Sequence, residues 1–480
     1  MSSSFTSLQE LRELVKLVNT SFTGIEKACA TQKTDLPALN GTFSWQTEGI
    51  LNDPEVEKAS SVITAAASQL AAAVRSPMLS LFAVANQYFL SVSLGISLKT
   101  HIPEILREVG SKGLHINEIA ARGQSGINPD KLGRILRLLA TNHIFREVMP
   151  DTFANNRVSG SMDCGKNVKD IIADPDSKYD GTASAAAMLE LSTVDGTVSF
   201  ADISKMLFDP KYANSGKPNE TAFNIATGSD LPFFEWLSEP AQAVNNKKWA
   251  TAMNSFDQFT AQDVILKGFD WEALPKGSTV VDFAGGVGGQ AMILAKEFDH
   301  LNFVVQDRAP IIENDATKFW KEKFPEAISS DRVKLQSHDI FSPQPVKNAA
   351  VFVVRAITHD WSDEYCIKFL KQLRAAATSN TQLVVIDNVI AYACPDSQET
   401  LDIPGAAQVR PVSPTPLLPN FGTASAMTYL LDISLLAGLN GKERTVAQFA
   451  DIYQKSGWKL VSVHADGFNY HDIKTIAVPV

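Results

Sequence analysis

Residues 355–363, Arg355-Ala356-Ile357-Thr358-His359-Asp360-Trp361-Ser362-Asp363, follow directly on the apolar run Val351-Phe352-Val353-Val354. A histidine in a loop at the carboxyl end of a strand is well placed to move a proton near a bound ligand, since its imidazole titrates near neutral pH. The bland alternative is that His359 only caps a helix starting at Ser362. Two carboxylates weigh toward proton transfer. Asp387 ends the next apolar run, Leu383-Val384-Val385-Ile386, and Glu443 lies in Asn440-Gly441-Lys442-Glu443-Arg444-Thr445. An acidic partner on one ring nitrogen orients an imidazole and stabilises its protonated form.

A second stretch with chemical content runs from 278 to 291, Ser-Thr-Val-Val-Asp-Phe-Ala-Gly-Gly-Val-Gly-Gly-Gln-Ala. It reads as a strand ending at Asp282, a glycine turn that lets the backbone approach a ligand, and a helix from Ala291 to Phe298. Gly286-x-Gly288-x-x-Ala291 satisfies the dinucleotide fingerprint, and Asp307, at the end of Phe303-Val304-Val305, is placed to hold a ribose. The loop alone leaves a nicotinamide cofactor and S-adenosylmethionine equally open, with a plain tight turn as the third reading.

The elements that must position these residues alternate. After the glycine loop, apolar runs recur at 303–305, 333–335, 351–354, 383–386, 460–463 and 475–478, most of them separated by helical segments such as 309–324 and 364–377. With the strand at 278–282 they predict an α/β fold, a mainly parallel, doubly wound sheet of about seven strands. Ligands bind beyond the carboxyl ends of such strands. Asp282, Asp307, Asp339, Arg355 and Asp387 each stand at or just past such an end, so they are expected on one rim. Residues 392–425, with six prolines and little periodicity, interrupt the rhythm and read as a functional loop near that rim.

The N-terminal part reads as helical. Residues 7–20 and 53–75 are predicted helices, the second opened by Asp53 as N-cap and Pro54 at the first position. Short helices follow at 81–94, 102–109, 116–122 and 129–142, then a strand at 144–148 and a turn at Pro150-Asp151, a pattern that suggests a winged helix. DNA binding is disfavoured, because residues 117–148 carry five basic groups against three acidic ones. Between 170 and 260 aromatic and methionine side chains gather, among them Phe223, Phe233, Trp236, Met253 and Phe256. They are either core or the wall of a pocket for a flat substrate.

The 480 residues exceed one ordinary core, so two domains are expected, 1–218 and 219–480, the second with the 392–425 insertion. The net charge of −10 argues against a nucleic-acid partner. Cys29, Cys164, Cys366 and Cys394 lie far apart, as reduced thiols would and a zinc site would not. No basic-then-apolar leader and no run of roughly 20 apolar residues is expected, so a cytosolic protein without a membrane partner is the simplest reading.

The glycine loop, His359-Asp360-Trp361-Ser362-Asp363 and Gly441-Lys442-Glu443-Arg444-Thr445, in this order, resemble the plant and fungal S-adenosylmethionine-dependent O-methyltransferases of the caffeate and flavonoid type, over roughly residues 80 to 480. The proline-rich insertion resembles that of fungal members acting on phenolic secondary or lignin-derived compounds. The resemblance implies a Rossmann-like methyltransferase domain, an N-terminal winged-helix dimerisation domain, a homodimer, and metal-independent methylation of a small phenolic compound. By position it makes His359 the general base bracketed by Asp387 and Glu443. It assigns Asp307 to the ribose, Asp339 and Ile340 to the adenine, and Asp282, Gly285, Gly286 and Arg355 to the cofactor pocket. Phe223, Met253, Phe256 and Asp360 become substrate-side positions. Two departures stand out: Ala284 where the motif often has glycine, and Ala356 where plant members carry a bulky aromatic.

A phenol titrates near pH 10 on the tyrosine model, so at neutral pH its methylation calls for a base, a contribution of roughly 10² to 10⁴ in rate. The alternatives are an S-adenosylmethionine-binding enzyme of the same fold that forms rings without methyl transfer and, further off, a winged-helix regulator. The His359, Asp387 and Glu443 set speaks against both.

Overall fold

A computed structural model of the protein describes residues 6–123, 126–182, 185–257, 263–409, 412–465 and 472–480, without the side chains of 195, 198 and 254–257. Contacts divide the chain into two compact units, Met1–Ala201 with Phe234–Phe259 and Thr415–Leu417, and Asp202–Phe233 with Thr260–Pro414 and Leu418–Val480. The expected boundary after residue 218 falls inside the second unit, and the helix Ala243–Asp257 groups with the first.

In the first unit the helix Ser7–Gln32 packs along Pro54–Val74. Asp53 accepts from the N–H groups of Glu55 and Val56 at 2.9 and 3.2 Å, which caps the second helix as its sequence predicts. The first helix runs twelve residues beyond its expected end at 20, to a left-handed stop at Lys33. Helices Ile102–Val109, Ile116–Arg122 and Pro129–Thr141 stand where periodicity puts them. Strands β1 (Leu114–His115), β2 (Phe145–Met149) and β3 (Thr152–Asn155) form a three-stranded antiparallel sheet in the order β1-β3-β2. Arg137 clasps Glu147 at 2.9 Å and Asp151 at 2.6 Å, bracing the β2–β3 turn in which Asp151 has φ 58°. Short helices followed by this hairpin match the winged pattern.

One expectation is corrected here. The sequence reading held that no stretch is long and apolar enough to cross a membrane, yet the helical stretches Pro77–Lys99 and Gly422–Leu439 both are, by length and composition. The first, interrupted only at Asn86, leaves Leu79, Leu81, Phe82, Val84 and Tyr88 each more than half exposed.

The second unit is built on seven strands, β4 (Thr279–Phe283), β5 (Asn302–Asp307), β6 (Val333–Ser337), β7 (Val351–Arg355), β8 (Gln382–Asp387), β9 (Trp458–His464) and β10 (Ile473–Pro479). Their order is β6-β5-β4-β7-β8-β10-β9, parallel through β8, with β10 antiparallel to both neighbours. Side chains alternate between two buried faces. Val281, Phe283, Phe352, Val354, Leu383 and Val385 pack on one side, and Val280, Phe303, Val305, Val353, Val384 and Ile386 on the other. From β4 the chain winds outward to β5 and β6, then returns across β4 to β7. The topological switch point, where such sheets bind ligands, therefore lies beyond β4 and β7.

The 392–425 segment has more structure than its prolines suggest, with short helices at Gln398–Leu401, Ala406–Gln408 and Gly422–Ser425. Part of it is pinned to the sheet edge. Gly405, at φ 84°, lies so close to β9 that a Cβ there would meet the Val463 carbonyl oxygen at 1.8 Å. The Val463 N–H donates to the Pro404 carbonyl at 2.8 Å, and Ala406 and Val409 are buried in the core.

Candidate active site

The loops after β4 and β7 carry the two motifs. Asp282, buried as the penultimate residue of β4, accepts from the Ala291 N–H at 3.3 Å, so its carboxylate faces the first turn of the helix Gly289–Glu297. Burial pushes its pKa up to about 6, against this hydrogen bond and the Arg355 charge. Gly285 has no room for a side chain, since a Cβ there would come within 2.4 Å of the Asp282 carboxyl carbon. Ala284, the departure from the glycine pattern, takes the left-handed conformation with φ 55°.

Gly286 is different. Its φ is +60° and a Cβ built on it would meet nothing within 4 Å, so the backbone faces open space. Its N–H donates to Asp307 at 2.8 Å, and Asp307 also accepts from the Arg308 N–H at 2.7 Å. The carboxylate is thereby held at the end of β5 beside the open turn, with lone pairs left for two vicinal hydroxyls. This cradle fits the ribose of a nucleoside cofactor. Asp339 is exposed past the end of β6, accepting from the Phe341 N–H at 3.1 Å and the Ser342 hydroxyl at 3.0 Å, and Ile340 packs against the sheet core. Arg355 ends β7 and donates to Asp472 at 3.1 Å.

His359 sits in a one-turn 3-10 helix, Thr358–Asp360, immediately before the helix Asp363–Ala376, whose N-cap is Ser362. His359 is thus not the N-cap residue; Ser362 holds that position, with its hydroxyl donating to the Gly216 carbonyl at 2.9 Å and not capping the helix. Nδ1 of His359 lies 3.1 Å from Glu443 and 3.7 Å from Asp387, while Nε2 meets Asp360 at 3.7 Å, beyond hydrogen-bond length. Glu443 has no exposed side-chain surface and Asp387 2 %, whereas His359 keeps 17 %, so the imidazole is the member of the triad open to a ligand.

Other residues set these carboxylates. Asp387 accepts from the Thr358 N–H at 3.0 Å and from its hydroxyl. Glu443 accepts from Asn388 at 2.8 Å, and its own N–H donates to Asp432 at 2.7 Å. Fully buried Arg444 donates to the carbonyls of Thr358 (2.6 Å) and Trp361 (2.8 Å) and to Asp363 (2.9 Å), tying the two motifs together. The Lys442 N–H closes the same junction on the His359 carbonyl at 2.8 Å, and a Cβ on Gly441 would meet that carbonyl oxygen at 2.3 Å. Thr358, Asn388, Asp432 and Arg444 were not singled out from sequence. Three of them adjoin a chosen residue, but only folding reveals their partners.

Burial alone would lower the His359 pKa. The charges of Asp387 and Asp360 and the bond to Glu443 outweigh it and raise the value to about 10. Burial raises Asp360 to about 7 and Asp387 to about 6, in both cases against the imidazolium charge. The ligand-free site is an imidazolium set among carboxylates. Asp387 Oδ1 and Glu443 Oε2 are buried without a hydrogen-bond donor, so that cation is what compensates them.

Of the positions that the resemblance assigns to the substrate, Phe223 is buried in the second unit, edge-on to Phe233 at 5.2 Å. Met253 packs against the core of the first unit, and the side chain of Phe256 lies outside the described residues. In the first unit, folding gathers Glu104, Asp163 and Cys164, their ligand-type atoms within 4.8 Å of one another; Asp163 is also paired with Arg107 at 3.3 Å.

Residues 211–404 match the model of an O-methyltransferase domain. The chain is 42 % identical to an O-methyltransferase of Armillaria gallica over 98 % of this chain and 99 % of the relative. It is 39 % identical to 4-O-methyltransferase 1 of Phanerochaete chrysosporium over 95 % of both. Among solved structures it is similar to the mitomycin 7-O-methyltransferase MmcR (TM-score 0.61, 21 % identity, 86 % of this chain and 99 % of that one). It is also similar to LepI in complex with S-adenosylmethionine (TM-score 0.62, 17 % identity, 91 % and 96 %). At such identities these two likenesses speak for the fold alone. The long fungal matches, the glycine cradle with Asp307 and the doubly wound sheet agree: the chain belongs to the fungal S-adenosylmethionine-dependent O-methyltransferases, which act on small molecules.

Proposed function

We propose that this enzyme methylates a phenolic hydroxyl of a small aromatic compound, with His359 as general base and without a metal ion. The observation that carries the reading is the asymmetric hold on His359: Nδ1 is anchored by Glu443 at 3.1 Å, while Nε2, 3.7 Å from Asp360, makes no hydrogen bond among the described residues on a side chain that keeps 17 % exposure. Bound S-adenosylmethionine supplies an already activated methyl group and a positive charge. Asp307 and the backbone at Gly286 orient it from β4 and β5, and His359 stands on the same rim after β7. The imidazolium of the ligand-free site gives up its proton more readily as positive charge accumulates there. The neutral ring then takes the phenolic proton at Nε2, while Asp387 and Glu443 stabilise the charge that forms. Glu443 meets the imidazole and the Asn388 amide, and Asp387 meets Thr358 beside the imidazole, so both carboxylates hold the histidine in place.

The same proposal includes a homodimer and a cytosolic location. The exposed apolar side chains of Pro77–Lys99 form a surface that a second copy would cover, and the four free cysteines suit a reducing compartment. The aromatic-rich positions Phe223, Met253 and Phe256, with Asp360, are proposed for the substrate side. Asp282, Gly285, Asp339, Ile340 and Arg355 are proposed for the cofactor.

The test is incubation with S-adenosylmethionine and a panel of phenols in the presence of chelator, scoring S-adenosylhomocysteine and methylated product by mass spectrometry. Product on any phenol is the expected outcome. Cofactor binding with no demethylated cofactor on any phenol would instead favour ring-forming chemistry, a reading raised by the fold likeness to a pericyclic reaction enzyme (TM-score 0.63, 16 % identity, 91 % of this chain and 97 % of that one).

A further inference from the structure

We propose that Thr358 is a positioning residue for the base: by holding one oxygen of Asp387 it keeps that carboxylate from taking Nδ1 of His359, and so limits how firmly the imidazole retains its proton. The inference rests on His359 serving as the base.

Two carboxylates compete for one ring nitrogen. Glu443 reaches Nδ1 at 3.1 Å, while Oδ1 of Asp387 stops at 3.7 Å, beyond hydrogen-bond length. The difference lies in where each is held. Glu443 is tied through the oxygen that meets the ring, Oε1, which also accepts from the Asn388 amide at 2.8 Å. Asp387 is tied through its other oxygen. Oδ2 accepts from the Thr358 N–H at 3.0 Å and from the Thr358 hydroxyl, whereas Oδ1, the oxygen nearer the ring, is buried with no donor among the described residues. A buried acceptor without a donor gains by moving to the nearest one, here the Nδ1–H of the imidazolium. The two bonds from Thr358 oppose that move.

Thr358 cannot follow the carboxylate. It is fully buried, and its carbonyl accepts from Arg444 at 2.6 Å and from the Cys366 thiol at 3.2 Å. The N–H would serve Asp387 from almost any residue at this position, so the hydroxyl is what the threonine side chain adds. A donor on a carboxylate also weakens its hold on a proton, including one shared with an imidazolium. Burial lowers the His359 pKa, and Asp387 is the largest of the charges that raise it, ahead of Asp360 and Glu443. The placing of Asp387 therefore bears on the ring more than that of any other charge. The remaining ionisable groups that face Asp387 are Arg444, Cys366 and Tyr453. Burial pushes Cys366 up to about 12 and raises Tyr453 as well, while Asp360 at about 7 and Asp387 at about 6, both raised by burial, lie below the His359 step.

The test compares wild type with Thr358→Val, which keeps the shape and loses the hydroxyl, and with Thr358→Ser, which keeps the hydroxyl. The first readout is the ring pKa of His359 in the ligand-free protein by proton NMR, its resonances assigned by their loss in His359→Asn. The second is kcat/KM against pH on a phenol that the panel above shows to be methylated. Thr358→Val should raise the ring pKa by roughly half a unit or more, as an opposite charge moves closer. It should lower kcat/KM about threefold at neutral pH, with the deficit closing as the pH approaches the ring pKa. Thr358→Ser should restore both, and in an Asp387→Asn background Thr358→Val should leave the ring pKa unmoved. A ring pKa unchanged or lowered in Thr358→Val, a loss of kcat/KM equal at every pH, a serine that restores neither, or a shift that persists without the Asp387 carboxylate overturns the proposal. Turnover retained in His359→Asn would overturn the base reading instead, whatever the ring pKa does.

Discussion

His359 illustrates how one side chain takes its properties from three neighbours, Asp387, Asp360 and Glu443. With its pKa raised to about 10, the imidazolium is favoured in the ligand-free protein, and only the neutral ring can accept a proton. Since kcat/KM reports ionisations of the free enzyme, it should rise through neutral pH toward the alkaline side. Replacing Glu443 with Gln removes a negative charge from Nδ1 and should move that rise to lower pH, a shift read directly from pH–rate profiles of the two proteins. The stability sign follows the same cause. A histidine whose pKa is raised by folding stabilises the native state fully below its unfolded value of about 6.5 and loses that contribution as pH climbs through about 10. His359→Asn should leave S-adenosylmethionine binding intact by calorimetry while turnover falls by about 10² to 10⁴. Unchanged turnover would remove His359 from the role of base.

At the scale of elements, the glycine turn separates space needed by the protein from space offered to a ligand. Gly288, at φ 82°, has Trp320 and Val305 where its Cβ would stand, both at 2.8 Å, so Gly288→Ala should lower the melting temperature markedly. Gly286→Ala meets no protein atom and should cost only the ~1–2 kcal/mol of a left-handed alanine. It should nevertheless weaken cofactor binding at least tenfold by calorimetry, because the new methyl enters the open side of the turn. Equal cofactor affinity in wild type and Gly286→Ala would mean that the cradle faces something else. The junction between the His359 turn and the Glu443 segment depends on Arg444 in a comparable way. Arg444→Met takes the charged donor from the Thr358 and Trp361 carbonyls, leaving them the weak Cys366 thiol, a loss of about 1.5–3 kcal/mol for each hydrogen bond to a charged group. Both melting temperature and turnover should fall.

At the scale of the molecule, the apolar surface of Pro77–Lys99 is the feature a lone chain would not be expected to leave in water. Light scattering should give twice the 52.2 kDa chain mass. The paired substitutions Leu81→Glu and Phe82→Glu, at side chains 66 % and 57 % exposed, should yield a soluble monomer with its fold retained by circular dichroism. A monomeric wild type at working concentration would sink the dimer proposal.

Much of this was legible in the sequence because it is local. The strands of this sheet announce themselves as short apolar runs, and all seven are found where those runs lie. His359 and Asp387 were readable together because one follows and the other ends such a run and the parallel topology carries both to one rim, while Glu443 was legible only through its own motif, Asn440-Gly441-Lys442-Glu443-Arg444-Thr445. Local signals do not report who meets whom across long separations. That Glu443 and not Asp387 makes the short contact to Nδ1, that Asn388 and Thr358 hold the two carboxylates, and that Gly405 seats the proline-rich insertion on β9 all depend on tertiary packing. The grouping of Ala243–Asp257 with the first unit is of the same kind. Burial and charge proximity exist only once distant segments pack, and no spacing along the chain encodes them.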